Sequence, residues 1–235
     1  MSSAGQIAAY VQSKSGVTFN LTGTAKEDVT MLPSPVSQST AVYTEALGLW
    51  RDTSLTRREA YERFCEAMDM DGFIDWVLLE GYCANVDIKS NLRYFRTGDG
   101  PWQIAFYDLD WAFQTRSNCF FNLIGSEQTA QIAPTIRWLF GIDDFRERLL
   151  TRYAELTETT LSDEHVTEKI DEFRALLAPE IARERAHWGG SEEGWNEQVD
   201  ALRANIADDY AAHTVRNLCS ILGMGEEERM EYFGF

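Results

Sequence analysis

Four side chains with oxygen donors stand on either side of a short turn. Asp87 and Asn91 lie before it in "NVDIKSN", and Asp108 and Asp110 lie after it in "DLD". Magnesium and manganese favour such hard donors in octahedral geometry and keep several waters, so two separate loops of this type suit a metal held against phosphate oxygens. A carboxylate there can also orient an attacking hydroxyl, and Lys89, two residues past Asp87, is placed to steady a phosphate or that carboxylate. A local reading competes for Asp87 and Asn91, because Asn and Asp satisfy backbone groups in Asx-turns and caps in all kinds of proteins. The Asp108-Leu-Asp110 pair also fits the DxD of nucleotide-sugar transferases. Those enzymes need a doubly wound sheet, and this chain has no alternating strand–helix pattern.

The order of the groups matches phosphoryl-transfer chemistry. In protein kinases a catalytic-loop Asp positions the hydroxyl, a nearby Asn holds one magnesium, and a later Asp holds the metals on the phosphates. Neither G-x-G-x-x-G nor G-x-x-x-x-G-K-[ST] occurs, so no local Rossmann or P-loop claim arises.

The flanking elements must position these loops. "DMDGFIDWVLLEGYCAN" predicts a helix over Phe73–Ala84, capped by Asp71 and apolar nearly all round, hence buried. Its Asp69-Met-Asp71-Gly72 start is no EF-hand, because the glycine comes two positions early. Between the loops, "NLRYF", "RTGDGP" and "WQIAFY" predict a β-hairpin turning at Asp99-Gly100. "DLDWAFQTRSNCFFNLIG" reads as loop. Helical periodicity starts near Tyr43, strengthens through "SLTRREAYERFCEAM" with Ser54 or Thr56 as cap, and resumes from Pro134. Ser162 with Glu164 marks another helix start, and Trp195 to about Gly223 reads as one long helix. The fold class expected is mainly α with a small β-hairpin. Residues 1–42 read as linker or remnant, with one possible strand at Val17–Leu21; 43–222 form the body, and 223–235 an acidic tail.

Composition narrows the function classes. The chain has 235 residues, 44% of them hydrophobic, enough for a core. Its formal charge of −17 disfavours a nucleic-acid partner and attracts divalent cations. No apolar run reaches membrane-span length, and the start lacks a signal-peptide pattern. The four cysteines show no zinc spacing, and Cys65 and Cys83 read as buried thiols. His165, His187 and His213 have no mutual metal spacing, while Trp76, Trp102, Trp138 and Trp188 read as core anchors and Trp111, beside the acidic pair, as a packing residue or else a border of the nucleotide.

The segment "YCANVDIKSNLRYFR…PWQIAFYDLDWAFQ" resembles the core of the CotH kinase family, the spore-coat-protein-H-like atypical protein kinases. That family shows an N-x-D-x-x-x-N loop, an N-x-R-Y-[WF]-R-like strand and a [YF]-D-L-D-x-x-F-G segment. The similarity continues through Leu139 to Trp188, and covers roughly residues 43–222. The resemblance implies the carboxyl-terminal lobe of a kinase-like fold that transfers the γ-phosphoryl of ATP, with Mg²⁺ or Mn²⁺, to Ser or Thr of a protein substrate. It implies Asp87 as the catalytic-loop Asp, Asn91 as its metal-binding companion, and Asp108 with Asp110 as the metal pair, either of which could take the DFG role. It leans towards bacterial extracellular, cell-surface or spore settings. Gln114 departs from the family's glycine. No glycine-rich hairpin with a strand lysine precedes residue 43, and such a lobe needs roughly 80 to 100 residues. The expectation is therefore a piece of a longer kinase, weak or inactive alone. The alternative is a non-catalytic scaffold or assembly module that keeps the lobe.

Overall fold

The computed structural model describes residues 29–31, 41–88, 91–113, 116, 119–125 and 132–235. Lys89, Gln114 and the Val17–Leu21 segment lie outside the described residues. The chain divides into two compact units, residues 1–70 with 93–105, and residues 71–92 with 106–235.

The first unit carries a three-stranded antiparallel sheet, β1 (Val29–Met31), β2 (Tyr94–Thr97) and β3 (Gln103–Ile104), in the order β1-β2-β3. The expected hairpin is β2–β3, with Tyr94 opposite Ile104 and Phe95 opposite Gln103. Gly98 at φ 55° and the Gly100 N–H to Thr97 carbonyl bond of 3.1 Å make the turn. At its base the Ala105 N–H donates to the Arg93 carbonyl, 2.9 Å, so the chain leaves and re-enters this unit at neighbouring points. β1 adds a strand that the polar sequence around it did not announce, pairing Val29 with Thr97 and Met31 with Phe95. Helix α1 (Arg57–Ala67) starts at a full capping box: Thr56 Oγ1 accepts from the Glu59 N–H, and the Glu59 carboxylate accepts from the Thr56 N–H. Trp102 anchors the unit. It is buried, exchanges backbone bonds with Ala67 and Asp69, donates Nε1–H to Glu45, and lies under the Arg96 guanidinium at 4.5 Å.

The second unit is helical: α2 (Met70–Tyr82, beginning one residue inside the first unit), α3 (Cys119–Gly125), α4 (Ala133–Leu139), α5 (Asp143–Glu158), α6 (Asp163–Trp188), α7 (Glu192–Ala207), α8 (Tyr210–Leu222) and α9 (Glu226–Phe233). As its composition predicts, α2 is a core helix, with Phe73, Ile74, Trp76, Val77, Leu78 and Tyr82 buried. A Cβ on Gly81 would lie 2.2 Å from the Phe120 ring, so this glycine lets α3 reach the α2 backbone. Buried Phe145, Leu149 and Tyr153 of α5 and Val215 and Leu218 of α8 complete the core, and the Tyr153 hydroxyl donates to Thr214 at 2.6 Å.

Four local readings are corrected. The apolar run Phe120–Ile124 belongs to a helix, not a loop. The single long carboxyl-terminal helix is two, broken where Asp209 turns left-handed at φ 56°. The break is stabilised because the Asp163 carboxylate accepts from the Tyr210 and Ala211 N–H groups, 3.1 and 2.8 Å, two orphan donors at the start of α8. Trp188 is no core anchor but 77% exposed at the end of α6, and Trp111 is 51% exposed. Among the described residues no helix is long and apolar enough to cross a membrane.

Candidate functional site

The first loop grows from the end of α2. The Asn85 N–H bonds to the Glu80 carbonyl at 3.4 Å and the Ala84 N–H to the Gly81 carbonyl at 3.3 Å, with Ala84 left-handed at φ 48°. This is a Schellman ending, in which residues Glu80 and Asn85 meet. Both are buried, and Asn85 Nδ2 donates to Glu80 Oε2 at 3.0 Å. The other end of the same amide, Oδ1, accepts from the Asp87 N–H at 3.1 Å. Farther along, Asn91 Nδ2 donates to the Asp87 carbonyl at 2.9 Å and the Asn91 N–H to the Ile88 carbonyl at 3.0 Å. The two asparagines thus bond to the loop's own backbone, while the half-buried Asp87 carboxylate has no ion-pair partner among the described residues. Burial pushes the Glu80 carboxyl up to about 7, partly offset by the Asn85 amide.

The second loop begins at Asp108, left-handed at φ 61°, and Asp108 and Asp110 are both exposed. Residues Leu109–Ala112 form a turn closed by a 3.0 Å backbone bond. Phe113 is also left-handed, at φ 58°, and its N–H donates to the Cys83 carbonyl at 2.7 Å. That bond ties the second loop to the helix ending from which the first loop leaves. The Phe113 ring sits 6.0 Å from Tyr82 and 5.9 Å from Tyr210, and the last two meet edge-on at 5.2 Å. The Tyr210 hydroxyl donates to the Tyr82 carbonyl at 2.7 Å. Beyond the loop, Arg116 lies over the Tyr210 ring and donates Nε–H to Asn205.

Four described residues other than glycine have positive φ: Ala84, Asp108, Phe113 and Asp209. Three belong to the two loops and the fourth precedes Tyr210. Left-handed backbone costs a non-glycine residue about 1 kcal/mol or more, and such strain concentrates at functional sites. The structure therefore ties the roots of the Asp87–Asn91 and Asp108–Asp110 loops to one aromatic cluster. Lys89 lies outside the described residues.

The donor set, two or three carboxylates and an amide oxygen, fits a hard divalent cation in its chemistry. Among the described residues no three His, Cys, Asp or Glu side chains gather closely enough to hold a metal. Any metal here would take its remaining ligands from water and phosphate, as magnesium ordinarily does. A groove between α2 and α5 is the wrong place for it, because Arg148 pairs with Asp71 and Arg152 with Asp75 across it, at 2.8 and 2.7 Å.

Sequence reasoning missed Glu80, Phe113 and Tyr210. Glu80 had a signal, as a lone acid inside the apolar run "WVLLEGYCA". Tyr210 had none, since 123 residues separate it from Asp87. No curated protein and no solved structure matches the chain. The family model for CotH kinase protein matches residues 24–211, which includes both loops, the sheet, α1 to α7 and the start of α8, and the chain belongs to that family.

Proposed function

We propose that the two loops form the acceptor- and metal-binding side of a protein kinase site that transfers the γ-phosphoryl of ATP to a Ser or Thr hydroxyl of a protein. Asp87 orients that hydroxyl and accepts its proton as the oxygen attacks the γ-phosphorus and the bond to the ADP oxygen breaks. Asn91, through Oδ1, and Asp108 with Asp110 would hold Mg²⁺ or Mn²⁺, and the bound metal would offset charge on the phosphates. Lys89 is assigned to a phosphate. What supports the reading is the Phe113–Cys83 bond, which anchors "DLD" beside the root of "NVDIKSN".

The test is paramagnetic broadening of amide signals by Mn²⁺ with ATP. Broadening centred on Asp87–Asn91 and Asp108–Asp110, lost in the Asp108→Asn/Asp110→Asn variant, is expected. Its absence from the wild-type chain would sink the proposal. None of the three described strands carries a lysine, the residue that kinases use to pair the phosphates. Transfer by these 235 residues alone is therefore expected to be weak or absent. Robust transfer abolished by Asp87→Ala would overturn that expectation. The same observation favours the second reading, a scaffold or assembly module without catalysis, which failure to bind Mn²⁺–ATP would support.

A further inference from the structure

A helix ending of the Schellman type brings the side chains three residues before the cap and two after it into contact, and the pair is ordinarily apolar. At the end of α2 that pair is Glu80 and Asn85, 3% and 0% exposed and hydrogen bonded at 3.0 Å. A carboxyl and an amide buried at a position that two apolar groups could fill come at a cost in stability. The left-handed residue of the ending is alanine where glycine would be relaxed. Two unfavourable choices in one cap, directly before Asp87, call for a reason outside stability.

We infer that Glu80 is a positioning residue: it holds the Asn85 amide, whose Oδ1 takes the Asp87 N–H, and so sets where the Asp87 side chain enters the site. The chain of contacts is directional. With Glu80 Oε2 accepting from Nδ2, the Asn85 amide is turned so that Oδ1 faces Asp87 N–H at 3.1 Å. Asn91 then closes the loop on the Asp87 carbonyl at 2.9 Å. An apolar residue at 80 would keep the helix but remove the acceptor that Nδ2 uses, and with it the contact that favours Oδ1 over Nδ2 facing the Asp87 N–H. The consequence for catalysis rests on the phosphotransfer reading of Asp87, whereas the ordering of the loop does not.

Amide hydrogen exchange separates the two. In Glu80→Ala the Asp87 amide is expected to exchange about tenfold faster than in wild type, the loss of one buried hydrogen bond. Glu80→Gln keeps an acceptor for Asn85 and should restore wild-type protection. Glu80→Leu, which fills the space without an acceptor, should match Glu80→Ala while the Val215 and Leu218 amides stay protected, and it decides the matter if Glu80→Ala loosens the core. Unchanged Asp87 protection in Glu80→Leu, or Glu80→Gln behaving like Glu80→Leu, overturns the inference. Mn²⁺–ATP broadening at Asp87–Asn91 should follow the same order of variants. If the wild-type chain shows no broadening, the phosphotransfer reading fails, and exchange alone still decides the role of Glu80.

Discussion

Helices α2 and α8 end in the same backbone motif with opposite chemistry. At the end of α8 the Met224 N–H bonds to the Cys219 carbonyl at 2.9 Å and the Gly223 N–H to the Ser220 carbonyl at 3.2 Å, with Gly223 left-handed at φ 68°. At the end of α2 the equivalent bonds, Asn85 to Glu80 and Ala84 to Gly81, are 3.4 and 3.3 Å. One ending uses Gly and the apolar pair Cys219 and Met224. The other uses Ala and the polar pair Glu80 and Asn85. The first follows the stability preferences of the motif at each position, and the second departs from them. Since the departing one opens into the Asp87 loop, the contrast locates where this unit trades stability for placement of groups.

The largest difference between the endings should be electrostatic. The Glu80 carboxyl titrates at about 7 in the folded chain against 4.5 in the unfolded one. A raised carboxyl means that the folded state binds the proton more tightly. The stabilisation is complete below pH 4.5, falls as pH rises to about 7, and is gone above it. Spanning that interval, the change amounts to about 3 kcal/mol. Urea denaturation from pH 4 to 8 should show wild type losing roughly this much relative to Glu80→Gln, which has no carboxyl to titrate. Parallel profiles would remove the desolvated Glu80 from the comparison.

Asn85→Ala comes next. It withdraws the amide from both Glu80 and the Asp87 N–H, at a cost of about 2 kcal/mol for buried groups left short of a partner. Because the amide lowers the Glu80 pKa, its removal should move the upper end of the pH-dependent decline upward from about 7. An upper end that stays put or falls would show that the amide does not stabilise the carboxylate.

These polar contacts explain why the fold was more legible than the site. Periodicity and capping chemistry identify α1 from Thr56 and α6 from Ser162, because a cap and its helix are adjacent in sequence. The Asp99-Gly100 turn likewise identifies β2–β3. What stayed hidden depends on distant partners. The α7–α8 break is held by Asp163, 47 residues before Tyr210, and β1 becomes a strand only by pairing with β2. At the site, residue types and spacing marked Asp87, Asn91, Asp108 and Asp110 as candidates. The bond from Phe113 to Cys83, which ties their loops together, leaves no trace in a linear pattern.

Exchanging the left-handed residues probes the backbone half of the comparison. A Cβ at Gly223 would meet nothing within 4 Å, so Gly223→Ala isolates conformational strain and should cost about 1 kcal/mol, read as a lower urea midpoint with unchanged slope. A change near zero would mean that α8 relaxes around a side chain at this position. The strain assigned to Ala84 would then lose its measure.

The reciprocal change, Ala84→Gly, should have the smallest effect and the opposite sign. Releasing φ 48° from a side chain gains about 1 kcal/mol, and the extra freedom of glycine in the unfolded chain returns part of it, leaving a gain of about 0.5 kcal/mol. The informative readout is the Asp87 amide. If Glu80 and Asn85 set the loop, its exchange should stay at the wild-type rate while the urea midpoint rises. If exchange quickens despite the added stability, the alanine itself stiffens the approach to Asp87, and the strain at residue 84 belongs to the placement of that carboxylate. A lower midpoint would contradict both accounts, because it would mean that the left-handed alanine is not strained, and the two endings would then differ only in their side-chain pairs.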